Sequence, residues 1–438
     1  MSHSSRFNAA GWLTATAMAA LAATSQAAQP TKTWCADRCD QIVIDWNQQT
    51  HQVIKAATGY QDPMAASRIL AMVHLAMHDA VNAAQPRYRT YAYHPTKAIV
   101  GKDGADPAVA AAVAAHGVLL SVFPKQKEML GAALDATLHD AGIGAAVVEG
   151  KRLGAEAAAA MVARRANDGS QADETYQPGR RPGEYQFVPG FKFVAAPHWR
   201  AVTPFTMRAP EQFRVQPPPA LASTAYVNDF NEVKATGSKA ANARRSADQT
   251  QYAAYWYEFS DSGWNRVARA VARDKPQDLW QRARTFALLN AVMADAYIAG
   301  WDSKMHYNFW RPVTAIQQAD TDGNPATTAA PHWEPMLTTP PVQDHPSTHS
   351  ALGAAAAVAL AHAFGGDRVA FTMASPSALP EAPSRSFKSF SAAARENADS
   401  RVRAGLHFRF ATTAGLQLGE QIGHQAVRDM LGPVGAAQ

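Results

Sequence analysis

The sequence predicts a mainly α-helical protein, and two observations carry that expectation. Alanine-rich runs at 108–115, 155–160 and 354–357 sit in periodic apolar contexts, which favours helix because alanine loses no side-chain entropy there. Period-two stretches of Val, Ile and Thr, the mark of half-buried strands, are scarce. Composition agrees: 438 residues with 47% hydrophobic and 18% charged content suffice for one large core or two packed halves.

Residues 1–27 read as an export signal. Arg6 precedes an apolar stretch from Trp12 to Ala23, and Ser25-Gln26-Ala27 resembles a small-residue cleavage site. The apolar stretch is shorter than the roughly 20 residues a membrane span needs, and no later segment is long and apolar enough. The expectation is a mature chain from Ala28, periplasmic or secreted, with no membrane span. Cys35 and Cys39 follow in a compartment that allows oxidation, where a small disulfide loop and two free thiols are both open. Export removes Arg6 from a formal net charge of +5. The remaining balance is mild, and the pairs Arg180-Arg181 and Arg244-Arg245 lack interleaved aromatics, so nucleic acid is not an expected partner.

Helices are expected at 41–58 and at 63–84, the second opened by Pro63 where a first turn tolerates proline. Further helical patterns at 106–123, 125–141 and 144–168 complete one bundle. Residues 169–219 shift to Pro, Gly and aromatics and end in Pro217-Pro218-Pro219, an irregular connection that Trp199, Phe205 and Phe213 would pack against the body. Helical patterning returns at 221–236, 246–259, 276–310, 312–319, 346–363 and from 386 onward. The expected division is a half at 28–219, including the connection, and a helical domain at 220–438. Helical halves of this kind pack between subunits as well as within one, so a homo-oligomer is an allowed arrangement.

Three motifs in the second half carry chemistry. In WDSKMHYNFWRP, Lys304 and Arg311 are seven apart, nearly one helix face, and Pro312 sets a boundary. Alone they read as an exposed basic pair, but Trp301, Phe309 and Trp310 imply partial burial, where unpaired cations are costly. Next, Asp344-His345-Pro346-Ser347-Thr348-His349 precedes an Ala-rich helix. Pro346 suits its first position, and the free N–H groups of Ser347, Thr348 and His349 would face an anion; taken alone the motif reads first as a plain capping sequence. Last, Arg401 and His407 would lie about 240° apart on an unbroken helix, so they share a site only if the chain bends at Gly405. Lys and Arg supply fixed positive charge for a doubly charged tetrahedral anion, and the two histidines supply a nucleophile or ligand and a general acid or base.

Lys304-x6-Arg311-Pro312, Pro346-Ser347-x-His349 and Ser400-Arg401-x5-His407 together resemble the three-part signature of the vanadium-dependent haloperoxidase and type 2 phosphatidic acid phosphatase superfamily. The motifs occupy 301–411, and the resemblance extends over the helical half from about 220. It implies that Lys304, Arg311, Ser347, Arg401 and the backbone at Thr348 bind the oxyanion, with His407 bonded to its central atom. In a haloperoxidase that atom is vanadium, His349 assists proton transfer, and halide is oxidised by peroxide to hypohalous acid. In a phosphatase His407 attacks phosphorus and His349 protonates the leaving alcohol. The implied cofactor is vanadate, with phosphate able to occupy the same site, and the partners are small molecules: peroxide, halide, and an organic acceptor or phosphate ester.

Three departures from the family pattern stand out. Thr348 replaces a common Gly and adds bulk beside the anion. Ala411 stands where an Asp often orients the ligating histidine, and Glu396 and Asp399 are carboxylates that could take over. Val342 lies where haloperoxidases often carry an aromatic or His. The leading expectation is a vanadium haloperoxidase-like enzyme; the alternatives are a secreted acid phosphatase and a non-catalytic oxyanion-binding protein. His74 and His78, one turn apart, have no evident third ligand and read as packing residues. Neither a Walker-type loop nor a His-Glu-x-x-His motif occurs.

Overall fold

The computed structural model describes residues 34–35, 38–95 and 104–435, so the expected export signal at 1–27 lies outside the described residues. Two long helices that are buried nearly all round organise the rest. Helix α2 (Pro63–Ala84) starts where predicted, with the Asp62 carboxylate accepting from the Met64 and Ala65 N–H groups ahead of Pro63. Helix α9 (Leu279–Tyr307) opens with a reciprocal capping box between Asp278 and Gln281. The two pack along each other, so the halves expected on either side of residue 219 share one hydrophobic core.

Around α2 lie α1 (Gln41–Thr58), α3 (Pro107–Val122), α4 (Lys127–Leu138) and α5 (Ala145–Arg165). Around α9 lie α6 (Thr224–Thr236), α7 (Ala247–Tyr255), α8 (Ser260–Asp274), α10 (Pro312–Gln317), α11 (Thr348–Ala363), α12 (Phe390–Arg403) and α13 (Arg409–Asp429). Helix α11 packs on α9, α12 and α13, which brings the three sequence motifs to one place. Buried amides join the halves: Asn47 of α1 binds His74 of α2 at 2.8 Å and Asn265 of α8 at 2.7 Å, and Asn265 binds Asn290 of α9 at 2.7 Å. His74 and His78 are fully buried; His78 Nε2 donates to the Arg89 carbonyl at 3.2 Å. Among the described residues no cluster of three or more His, Cys, Asp or Glu is placed to hold a metal ion. No described helix is long and apolar enough to cross a membrane. Cys35 and Cys39 are disulfide-bonded.

The irregular connection packs as expected: Trp199 and Phe205 are buried and Phe213 half-buried. A carboxylate on α9 holds it. Asp295 accepts from the N–H groups of Phe205 at 2.7 Å, Thr206 at 2.6 Å and Met207 at 3.1 Å, and from the Thr206 hydroxyl at 2.6 Å. Asp79 on α2 does the same for Tyr91, Ala92 and Tyr93. Each carboxylate satisfies backbone donors that an irregular segment cannot pair with itself.

Two elements escape the sequence reading. Helix α8 carries an apolar stripe of Trp264, Val267, Ala268 and Val271 at helical spacing. Its polar residues make the segment look like a connector. Strands β1 (Phe371–Ala374) and β2 (Ser384–Phe387) form an antiparallel hairpin of four residues each, too short to show alternation convincingly.

Candidate functional site

Lys304 and Arg311 do converge, although not on one helix face. Asn308 adopts left-handed geometry (φ 48) and ends α9, so Arg311 lies in extended chain as the N-cap residue of α10. Both cations are buried and grip the loop before α11. Lys304 Nζ donates to the carbonyls of Gln343 at 2.6 Å and Asp344 at 3.1 Å; Arg311 donates through Nε to Val342 O at 2.6 Å and through Nη1 to Leu406 O at 2.8 Å.

Ser347 is the N-cap of α11, not its first-turn residue, and the preceding His345-Pro346 bond is cis. Its backbone N–H is not free for an anion, because it donates to Ala411 O at 2.9 Å. The Ser347 Oγ accepts from Ser350 Oγ at 3.0 Å and N at 3.4 Å, which leaves its own O–H to donate. Thr348 and His349 open the helix with first-turn N–H groups that have no intrahelical acceptor. The extra bulk of Thr348 does not fill the anion's space. Its methyl packs against Gly300 of α9, where an added Cβ would come within 2.3 Å.

The bend at Gly405 is present: φ is +79, and an added Cβ would lie 2.4 Å from Gly237 O. Helix α12 therefore ends at Arg403. His407 sits two residues before α13 begins at Arg409, instead of opening it. Arg401 and His407 are nonetheless both buried in the same space as Lys304 and Arg311. Burial holds the His407 imidazole well below its ordinary pKa, reinforced in turn by Arg311, Lys304, Arg401 and His349.

His407 has a defined proton arrangement. Arg311 Nη1 lies 2.9 Å from His407 Nε2, and a guanidinium can only donate, so Nε2 carries a lone pair and Nδ1 carries the proton. Nδ1 lies 2.9 Å from Asp344 Oδ1. Asp344 thus stands behind the ring, where Ala411 supplies nothing. The carboxylates that sequence proximity suggested are engaged elsewhere: Glu396 pairs with Arg385 at 2.7 Å, and Asp399 pairs with Arg403 at 3.1 Å and with Arg409. Burial pushes Asp344 up to about 7, with Arg311, Lys304 and the Phe408 N–H pulling against it. Sequence reasoning named the segment Asp344–His349 but missed this partner, because Asp344 and His407 are 63 positions apart in the chain.

His349 Nε2 lies 3.0 Å from the Glu258 carbonyl, an acceptor, so Nε2 bears the proton and Nδ1 is the basic position. Its pKa is held well below normal by burial, then by Arg401. Arg401 has a single protein hydrogen bond, Nη1 to Trp256 O at 3.3 Å, and its buried Nε has no acceptor among the described residues. Burial lowers this guanidinium to about 10. Three buried cations against one buried carboxylate leave a surplus of positive charge and unspent donors, which fits a multiply charged tetrahedral oxyanion.

A mainly helical fold that concentrates three buried basic side chains, a neutral imidazole and a helix start in one cradle could hold a tetrahedral oxyanion. The VCPO second helical-bundle domain matches residues 284–434. Vanadium chloroperoxidase from Curvularia inaequalis is 26% identical over 391 residues, which cover 72% of this chain. The chain spans 63% of that relative's length. Among solved structures, a bacterial vanadium-dependent iodoperoxidase superposes with a TM-score of 0.75 and 26% identity, over 91% of this chain and 98% of that one. The holo form of a bacterial vanadium-dependent chloroperoxidase shares the fold, with a TM-score of 0.68 at 20% identity over 85% and 93% of the two chains. In sequence over its second half, and in fold over most of its length, the chain is similar to the vanadium-dependent haloperoxidases.

Proposed function

We propose that the protein is a vanadium-dependent haloperoxidase that oxidises halide with hydrogen peroxide. The observation that carries this reading is the neutral, buried His407, with Nε2 2.9 Å from Arg311 Nη1 and Nδ1 2.9 Å from the Asp344 carboxylate, amid the charges of Lys304, Arg311 and Arg401. Vanadate would be held by Lys304, Arg311, Ser347, the Thr348 N–H, Arg401 and His407 Nε2, and when bound it supplies Lewis-acid activation of peroxide. The chain's own residues do the rest. Lys304, Arg311 and Arg401 neutralise the anion's charge from fixed positions, so little reorganisation is needed as charge shifts during reaction. Asp344, 2.9 Å from Nδ1, favours the His407 proton on that nitrogen through its negative charge. His349 takes up or releases a proton at Nδ1 while the Glu258 carbonyl fixes its ring. Trp310, Val342 and Phe408, neighbours in the chain of Arg311, Gln343 and His407, are themselves buried.

A second reading, a phosphatase working through a phosphohistidine at His407, draws on the same Asp344–His407 arrangement, which also suits a nucleophile. A purely binding role rests on the absent carboxylate at Ala411 and the bulk of Thr348; Asp344 beside His407 and the packing of Thr348 on Gly300 speak against it. The export signal read at 1–27 and the Cys35–Cys39 disulfide support an extracytoplasmic location. The test is bromide-dependent bromination of a phenolic dye with hydrogen peroxide. Activity that needs orthovanadate, is suppressed by phosphate and disappears in His407→Ala is expected. Absence of bromination with vanadate present, together with hydrolysis of an aryl phosphate, would replace this reading with the phosphatase.

A further inference from the structure

A cavity of about 470 Å³ adjoins the cradle, with His349 and Arg401 among its lining residues. The other walls come from parts of the chain outside the three motifs. Tyr257 and Phe259, two apart in the loop between α7 and α8, face it together, and Tyr60 and Lys55 reach it from the end of α1.

These walls form a built aromatic surface. Tyr60 is held in left-handed geometry (φ 57), unusual for a residue with a side chain. Its hydroxyl donates to Asp261 Oδ2 at 2.5 Å and lies 3.0 Å from His51 Nδ1. Its ring stacks on His51 at 5.8 Å and on Phe259 at 6.0 Å, with interplanar angles of 11° and 18°. Phe259 ends this column of three rings and is 38% exposed, one of few large apolar side chains so placed. Across from it Tyr257 is fixed by its hydroxyl, which donates to Thr338 O at 2.9 Å, and the Arg401 guanidinium lies 5.8 Å from its ring.

Charge in the cavity is one-sided. Glu258, which also lines the cavity, is paired with Arg266, and Asp261 is buried and bonded to the Tyr60 hydroxyl. Lys55 stands exposed at the rim and makes no ion pair among the described residues. The cavity thus offers flat apolar faces, a cation at its mouth and the reactive cradle at its floor. Its volume suits a one- or two-ring molecule.

We propose that this cavity binds the organic acceptor of the reaction, an electron-rich aromatic compound bearing a carboxylate: the ring lies against Phe259 and Tyr257, and Lys55 takes the carboxylate. The proposal rests on the haloperoxidase reading for its chemistry. Hypohalous acid formed from peroxide and halide gives its halogen to a ring carbon; the carbon–halogen bond forms, the oxygen–halogen bond breaks, and hydroxide leaves with the ring proton as water. A held ring is halogenated at the carbon nearest the cradle, whereas freely diffusing hypohalous acid follows only the ring's own reactivity.

The experiment needs no turnover. Indole-3-acetate and its uncharged analogue indole-3-acetamide are titrated into the purified, vanadate-free protein by calorimetry and by saturation-transfer NMR. The acetate is expected to bind in the millimolar range or tighter and at least tenfold better than the amide. Lys55→Glu, a surface change, should erase that difference, and Phe259→Ala should weaken both ligands about tenfold. No binding at millimolar ligand overturns the proposal, as does equal binding of acid and amide. Displacement by inorganic phosphate also overturns it, because the probe then sits on the cradle. Vanadate titrated into the same samples separates the two claims: lost vanadate binding with intact indole-3-acetate binding refutes the haloperoxidase reading and leaves the cavity standing.

Discussion

Asp344→Asn isolates the support of His407. The substitution keeps size and shape but removes the carboxylate 2.9 Å from Nδ1. Loss of a charged partner behind a ligating histidine typically costs about 10- to 100-fold in affinity for the ligated group. Removing a negative charge from a cradle with three cations also strengthens binding of any anion. That Coulomb gain is common to vanadate and phosphate, whereas the weakened imidazole penalises only the anion bonded to nitrogen. The ratio of vanadate to phosphate affinity is therefore the informative quantity, and it should fall about 10- to 100-fold. Calorimetric titration of both anions measures it, and ¹⁵N shifts of the His407 ring report whether the proton remains on Nδ1. A folded variant with an unchanged ratio and an unchanged tautomer refutes the assigned role of Asp344.

Other perturbations follow from the same geometry. Arg401→Met should leave the anion-free protein at least as stable, since among the described residues Arg401 has one long hydrogen bond and no partner for Nε. It should weaken phosphate by about 10- to 100-fold, equal to one charge-assisted contact of about 1.5–3 kcal/mol; phosphate-dependent melting temperatures check both halves. Asp295→Ala strips acceptors from three buried N–H groups at an expected cost of about 3 kcal/mol or more, and limited proteolysis should then cut near Phe205–Met207 while α9 stays folded. His78 is fully buried, with a pKa lowered to about 4 from an unfolded value near 6.5. Between those values the unfolded chain takes up a proton that the folded chain refuses, so stability falls with falling pH, by up to about 1.4 kcal/mol per unit. His78→Asn lacks this contribution, and urea titrations from pH 7 to 4 should show it gaining on the wild type across that window.

The features legible in the sequence are those fixed locally. Pro63 and Pro312 mark helix starts, Ala-rich runs mark helix interiors, and Gly405 marks the turn without which Arg401 and His407 point apart. What escaped depends on tertiary approach. Nothing near His407 in the chain announces Asp344, and nothing in the Ser347 motif announces that Ala411 takes its N–H. The convergence of Lys304 and Arg311 was legible although its mechanism was not, because the helical period suggests one face and only the left-handed Asn308 shows that α9 stops between them. Thr348 looked intrusive for lack of knowing that Gly300 lies opposite. The cavity walls were invisible for a related reason: Lys55, Tyr60, Tyr257 and Phe259 belong to no motif and meet only because the first bundle closes over the second.

The loop carrying Tyr257 and Phe259 has a further consequence for anyone who would redesign the protein. Its middle carbonyl, that of Glu258, holds the His349 ring, so the residues facing an acceptor and the atom steadying the proton carrier belong to one short peptide. Selectivity and acid–base timing are mechanically tied, and variants chosen for a new acceptor at positions 257 or 259 will carry altered pH–rate profiles with them. Remodelling from the α1 side, at Lys55, leaves that peptide untouched and is the route by which specificity can change alone.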